Sequence, residues 1–468
     1  MRSDDVVNSV RSWMDEETYE RIRARVSPLY RTAKYDVVQP VQNRLRFRRR
    51  LRETPEHRID DRDVLIVAVD CLRNDHLSRA GYDRETTPFL DGLPGYSPNC
   101  VSAAPWTYSS VPSILTGQYP HNHGAAYDQE LRNQSVNNPP ATIRDDVYAL
   151  PELLAKAGYD TYFASAIVTA ELPLRGRFER SSVEHDAPAD ELVDGFLDWW
   201  DSTDESRFGY LQLGDLHSPL HRPANAPFGE VEDVPDVERW DFTTRTDPQE
   251  EFETYRRERI RLYDTVLRFV DEELRRLFDA LAARSDLDDT LIVVTSDHGE
   301  EFWERVELER RHFHDPRGVY GTGHGHALVP EVLFVPLILA GGWEHATDEL
   351  VSTTDIVPTV LSELGLDDDS LSTCDGVPID RLPAERAVLS EEIAYGYDQQ
   401  AVVRDSHLLI DSPHESESVV LNTDEDRLVE DPEIEAELRS FLTDDKHVGD
   451  PSTLDSRTQD QLADLGYL

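Results

Sequence analysis

Val64-Leu65-Ile66-Val67-Ala68-Val69-Asp70 is a run of six apolar residues, rich in β-branched side chains and closed by a carboxylate. Such a run reads as a strand buried on both faces of a parallel sheet. Open α/β sheets gather their ligands at the carboxyl ends of strands, which places Asp70 where chemistry is expected. Thr290-Leu291-Ile292-Val293-Val294-Thr295-Ser296 repeats the pattern and runs into Asp297-His298-Gly299-Glu300. A third run, Phe208 to Gly214, delivers Asp215 and His217. Either acidic strand end alone reads as a capping Asp. Together, two carboxylates and an adjacent histidine predict a divalent metal.

Between the first two strands lies Ala104-Pro105-Trp106-Thr107-Tyr108-Ser109-Ser110-Val111-Pro112-Ser113, continuing to Thr116-Gly117 and the histidine-rich turn His121 to Gly124. Hydroxyls crowded ahead of a short apolar run suit a helix N-terminus, where unpaired N–H groups and positive potential favour an alkoxide or a docked anion. The plainer alternative is a helix capped by Ser109 or Ser110. Downstream, His312, His314, His324 and His326 follow the second acidic strand, the last two between glycines on a loop expected to be exposed and mobile.

The chain has 468 residues, long enough for one large α/β domain with an appended piece. It carries 94 acidic against 47 basic residues, a formal net charge of -47, and its only lysines are Lys34, Lys156 and Lys446. That field excludes nucleic acid as a partner unless a basic face is segregated, and it suits a high-salt cytosol where screening tolerates self-repulsion. Cys71, Cys100 and Cys374 are too few for a disulfide framework. No run approaches the ~20 apolar residues of a membrane span and no apolar leader opens the chain, so a cytoplasmic location is expected. Residues 1–60 are locally basic and read as a helical extension packed on the acidic body, with a peripheral contact to an anionic surface through residues 44–52 as the alternative. Pro248 to Ser285 reads as a long amphipathic packing helix. A small set of strands and a helix follows in 371–445, and 446–468 reads as a tail without chemistry.

The ordered set Asp70-Cys71-Leu72-Arg73, Thr107 to Gly124, Asp215-Leu216-His217-Ser218-Pro219, Thr295 to Glu300, Gly323-His324-Gly325-His326 and Val335-Pro336-Leu337-Ile338 resembles the sulfatase family of the alkaline phosphatase superfamily. The resemblance covers about 61–370. It implies a large, mostly parallel central sheet flanked by helices, with a small C-terminal α+β subdomain that shapes substrate choice. It further implies Asp70, Asp297 and His298 as metal ligands, Thr107 as nucleophile and metal neighbour, and His217 and His324 at the ester oxygens or leaving group. His326 is the alternative to His324, and Cys71, Arg73 and Asp215 are secondary candidates.

The departures are informative. Sulfatases carry, nine residues before the Thr-Gly pair, a Cys or Ser that is oxidised to formylglycine, with Pro and Arg following. Here that position is Thr107, with Ser109 and Val111 in place of the Pro and Arg. A secondary alcohol cannot become an aldehyde. The pattern instead resembles superfamily phosphatases, phosphodiesterases and phosphotransferases that attack phosphorus with Thr or Ser. An alternative register, Ser110-Val111-Pro112-Ser113, makes Ser110 the nucleophile of a sulfuric ester hydrolase. Cys71 stands where a second acidic ligand is common and His298 where Asn is common, favouring manganese or zinc over calcium or magnesium. The substrate expected is an anionic ester: a sulfated or phosphorylated sugar, lipid or small molecule. A descendant that binds anionic glycans without turnover is the competing class.

Overall fold

The computed structural model describes residues 39–449 apart from 58, 128–139, 233, 235–236, 239–249, 285, 344, 367–370 and 444–445. The start of the basic extension and residues 450–468 of the tail therefore lie outside the described residues. The chain forms β1 (Asp63–Val69), β2 (Tyr96–Val101), β3 (Asp160–Ser165), β4 (Arg180–Val183), β5 (Arg207–Leu213) and β6 (Thr290–Thr295). A short antiparallel ribbon, β7 (Glu301–Phe302) and β8 (Thr322–Gly323), comes next, then β9 (Phe334–Gly341) and β10 (Val351–Ser352). The main sheet runs β10-β2-β9-β6-β1-β5-β3-β4. All its pairings are parallel except those of β9 with β2 and β6.

Alternation explains why β1 carries no polar residue after Asp63. Val64, Ile66 and Ala68 enter one core, against Val111, Ile114 and Leu115 of the helix Thr107–Thr116. Leu65, Val67 and Val69 enter the opposite core, against Tyr263, Val266 and Leu267 of the 34-residue helix Glu250–Ala283. With both faces covered, each buried Val, Leu or Ile of β1 contributes about 1.5–3 kcal/mol. The amphipathic stretch expected near 248–285 is this helix, and its apolar stripe packs as expected.

Five antiparallel strands, β11 (Val388–Glu391), β12 (Gln400–Arg404), β13 (His407–Ser412), β14 (Glu417–Asn422) and β15 (Arg427–Leu428), make a second sheet in sequence order. The helix Pro432–Arg439, capped by the Asp431 carboxylate, packs against β12 and β13. This sheet reaches the main body through the Glu391 N–H to Ala103 carbonyl bond of 3.0 Å and through Trp106 Nε1, which donates to the Glu392 carbonyl at 2.6 Å. The basic helix Gln39–Glu53 docks by Arg50, buried in an ion pair with Glu152, which Arg177 also engages at 2.7 Å. Arg44, Arg46, Arg48, Arg49 and Arg52 remain exposed. Among the described residues, no helix is long and apolar enough to cross a membrane.

Candidate active site

Three parallel strands end together, and their register builds the site. Val69 pairs with Leu213, and Ala68 pairs with both Gln212 and Thr295. Asp70 therefore leaves β1 beside Gln212 of β5 and Asp297 just beyond β6. Gln212 Nε2 donates to Asp297 Oδ2 at 3.0 Å and to Asp70 Oδ2 at 3.4 Å, bridging the carboxylates. Ser296 Oγ lies 2.6 Å from the carbonyls of Val69 and His298 and accepts the Leu72 N–H at 3.0 Å, tying the two strand ends together.

Thr107 is the first residue of its helix. Trp106 precedes it and no side chain caps the helix, so Ser109 and Ser110 do not serve as caps. Ser109 Oγ donates to the Ala125 carbonyl at 2.9 Å, and Ser110 Oγ donates to the Asp297 carbonyl at 2.5 Å. Ser110 thus braces the backbone at Asp297, whereas Thr107 Oγ1 lies 3.1 Å from His298 Nε2 and 3.4 Å from Asp70 Oδ2. Thr107, Asp70, Asp297 and His298 are all fully buried.

His298 Nδ1 donates to the Gly299 carbonyl at 2.9 Å, which leaves the Nε2 lone pair facing the carboxylates, 3.6 Å from Asp70 Oδ1 and from Asp297 Oδ2. Burial and the Asp297 charge push Asp70 well above the usual carboxylate range, and burial also raises Asp297. Burial lowers His298 to about 4, keeping it neutral. Among the described residues, neither carboxylate has a Lys or Arg ion-pair partner. One ligand atom from each of Asp70, Asp297 and His298 falls within 4.8 Å of the others. Two buried anions converging on an imidazole lone pair fit a divalent cation in charge and donor type.

The His324 ring lies against that of His298, tilted by 33° with centroids 4.2 Å apart, and the His217 ring lies 5.2 Å from that of His324. His324 Nδ1 lies 3.1 Å from Glu300 Oε1 and 3.7 Å from Cys71 Sγ, and Cys71 Sγ donates to Asp70 Oδ1 at 3.0 Å. His217 Nδ1 donates to the Ser218 carbonyl at 2.7 Å. Burial depresses His324 to about 3 and His217 to about 4, while burial followed by the Asp70 charge raises the Cys71 thiol far above its ordinary value. Cys71, His298 and His324 form a second grouping of possible ligands around the same histidine. Cys71 takes a φ of 62°, a costly conformation for a non-glycine residue, at the turn out of β1.

The remaining candidates do other work. Arg73 is buried against Asp75, Glu304 and the Glu300 carbonyl, holding the loop behind the site. Asp215 accepts the Ala189 N–H at 3.1 Å, at the start of the helix Ala189–Trp200. His326 meets Glu301 and Glu309 instead of the Thr107 cluster, and His312 pairs with Glu417. The His324–His326 loop is neither exposed nor loose, because both rings are largely buried and the Gly325 carbonyl accepts the N–H groups of Ala394 and Tyr395.

The sulfatase family model matches residues 62–366. The chain belongs to the sulfatase family. It is 25% identical over 307 residues to the low-salt glycan biosynthesis sulfotransferase Agl7 of Haloferax volcanii, covering 65% of this chain and 61% of that protein. It is 24% identical over 318 residues to an endo-4-O-sulfatase of Bacteroides thetaiotaomicron, covering 56% of this chain and 58% of that protein. The match thus spans about three fifths of each relative's length. The phosphonate monoester hydrolase SpPMH from Silicibacter pomeroyi shares the fold, with a TM-score of 0.59 and 18% identity, over 81% of this chain and 93% of its own. The sulfatase and alkaline phosphatase fold is thereby shown.

Within this sulfatase-family site, sequence reasoning passed over Gln212, Glu300 and Tyr263. Gln212 carried a signal, a lone amide in an otherwise apolar strand. Glu300 stood in a quoted motif without a role. Tyr263 lies in the stretch whose spacing predicts a packing helix, yet its hydroxyl donates to the Cys71 carbonyl at 2.7 Å and accepts the Arg73 N–H at 3.2 Å, pinning the turn that carries the site.

Proposed function

We propose that this sulfatase-family protein cleaves or transfers an anionic ester group through Thr107, with a divalent ion held by Asp70, Asp297 and His298. The reading rests on one observation: a fully buried hydroxyl at a helix start lies 3.1 Å from the His298 lone pair and 3.4 Å from an Asp70 carboxylate that, among the described residues, has no Lys or Arg ion-pair partner. When bound, manganese or zinc would lower the pKa of the Thr107 hydroxyl and offset charge on the ester oxygens. Thr107 Oγ attacks phosphorus or sulfur in line, the alcohol oxygen leaves and gains a proton, and a Thr107 ester remains. Water or an acceptor hydroxyl then attacks the same centre and frees Thr107. Burial holds His217 and His324 below the ordinary histidine range, a docked anion raises their basicity, and in the protonated form each donates an Nε2–H to the ester oxygens and can supply the proton to the leaving alcohol.

A threonine nucleophile favours a phosphorus ester, since formylglycine chemistry is closed to it. The relative named a sulfotransferase supports a second outcome of the same chemistry, sulfuryl transfer to an acceptor alcohol. The substrate class is a phosphorylated or sulfated sugar, lipid or small molecule, handled in a high-salt cytosol to which the acidic composition is suited.

Paired assays with nitrophenyl phosphate, bis-nitrophenyl phosphate and nitrophenyl sulfate test this in high salt. Thr107→Ala should lower kcat/KM at least ~1,000-fold, about 4 kcal/mol of transition-state stabilisation, with bound metal retained. Thr107→Ser should keep part of the activity. Full activity in Thr107→Ala, with loss in Ser110→Ala, moves the nucleophile to Ser110.

A further inference from the structure

A second polar cluster lies outside the chemistry above. Glu301 sits on β7, Glu309 on the helix Val306–His312, and His326 just past β8, which pairs with β7. Their side chains are 0%, 1% and 2% exposed. His326 Nε2 is 3.2 Å from Glu309 Oε2 and 3.5 Å from Glu301 Oε2, yet neither ring nitrogen has a hydrogen-bond partner, and neither do Glu301 Oε2 and Glu309 Oε1. The other carboxylate oxygens are held from outside, Glu301 Oε1 by the Arg305 N–H at 2.7 Å and Glu309 Oε2 by the Gly321 N–H at 2.5 Å. Among the described residues, neither carboxylate has an Arg or Lys ion-pair partner.

We propose that Glu301, Glu309 and His326 bind a second, structural divalent cation of the zinc or manganese class. One donor atom from each residue lies within 4.8 Å of the others. Ligands at 2.0–2.2 Å around a tetrahedral zinc stand about 3.4 Å apart, close to the separations of 3.2 and 3.5 Å seen here without hydrogen-bond geometry. Two carboxylates carry the charge that one divalent ion cancels, and the oxygen and nitrogen donor mix selects borderline metals. Unpartnered buried polar atoms are costly, and coordination removes that cost for the carboxylate oxygens and one ring nitrogen at once. The ion would staple β7 and the helix Val306–His312 to the loop bearing His324, whose Nδ1 contacts Glu300 immediately before Glu301. It therefore fixes where His324 stands over the Thr107 site while sharing no ligand with Asp70, Asp297 or His298.

The test is metal stoichiometry of the full chain in high salt, stripped with chelator, reloaded with zinc or manganese and desalted. Wild type should hold two ions, Glu309→Gln one, and Asp297→Asn one. If Glu309→Gln keeps the wild-type stoichiometry, the second site is overturned. If wild type holds one ion that Glu309→Gln loses and Asp297→Asn keeps, the second site stands and the Asp70–Asp297–His298 reading fails instead. Titration of Asp297→Asn with cobalt guards against misfolding of the cluster variant. One equivalent should bring visible tetrahedral absorption bands, and a spectrum that stays blank overturns the site.

Discussion

His123 shows how burial and hydrogen bonding together exclude a proton. Its Nδ1 accepts the Ala125 N–H at 3.0 Å, and its Nε2 lies 3.0 Å from Ser113 Oγ, whose own proton goes to the Ser109 carbonyl at 3.2 Å. A second ring proton would face the Ala125 N–H, and burial depresses His123 to about 3. The unfolded chain, with an ordinary histidine near 6.5, binds a proton that the folded chain refuses between those limits. Stability from this group is therefore complete above pH 6.5 and lost as pH falls toward 3, at about 1.4 kcal/mol per pH unit. Urea unfolding from pH 7.5 to 5 at constant high salt should show that slope in wild type and a shallower one in His123→Gln. Equal slopes contradict the assignment. The same scale separates Thr107 from Ser110: both were candidates from spacing, and only the direction of each hydroxyl distinguishes them.

Among elements, the turn after β6 is the most tightly specified. Gly299 donates its N–H to the Val332 carbonyl at 2.7 Å, and a Cβ on it would lie 2.1 Å from the Glu331 carbonyl oxygen. Gly299→Ala must push this backbone apart, displacing His298 beside it, at a cost of about 2–3 kcal/mol. Thermal melting should show a clear drop in Tm together with lost turnover, and an unchanged Tm would contradict the close packing. The strands themselves were legible because burial on both faces leaves Val64–Val69 and Leu291–Val294 wholly apolar, a composition that few other environments demand. The helix Thr107–Thr116 was legible as a helix start but not in its cap, since Ser109 and Ser110 donate to the carbonyls of Ala125 and Asp297 instead of accepting the helix's own N–H groups. Tyr263 was similarly opaque. On a helix stripe it has the spacing of a packing residue, and its hydroxyl finds Cys71 only because the helix lies under that turn.

For the whole molecule, charge dominates. A net charge of -47 with three lysines makes self-repulsion a standing cost of the compact state. Raising salt from 0.1 to 1 M shortens the Debye length from about 10 to 3 Å, so Tm should climb by more than about 10 °C over that range. A Tm that falls or stays level would show that the acidic surface is not a salt adaptation. The basic helix answers part of this field, with Arg50 buried on Glu152 while its neighbouring arginines face solvent. Sequence alone determined the sheet class and the carboxylates at strand ends and kept Thr107 and Ser110 as candidate hydroxyls, because periodicity and motif order are local properties. Only the tertiary structure decided which groups face one another. Gln212 bridging two carboxylates, Ser110 turning to a backbone carbonyl, Asp215 taking the Ala189 N–H and His326 leaving the active site for Glu301 and Glu309 all depend on strand register and loop paths. Those are set by long-range packing, which no local pattern encodes.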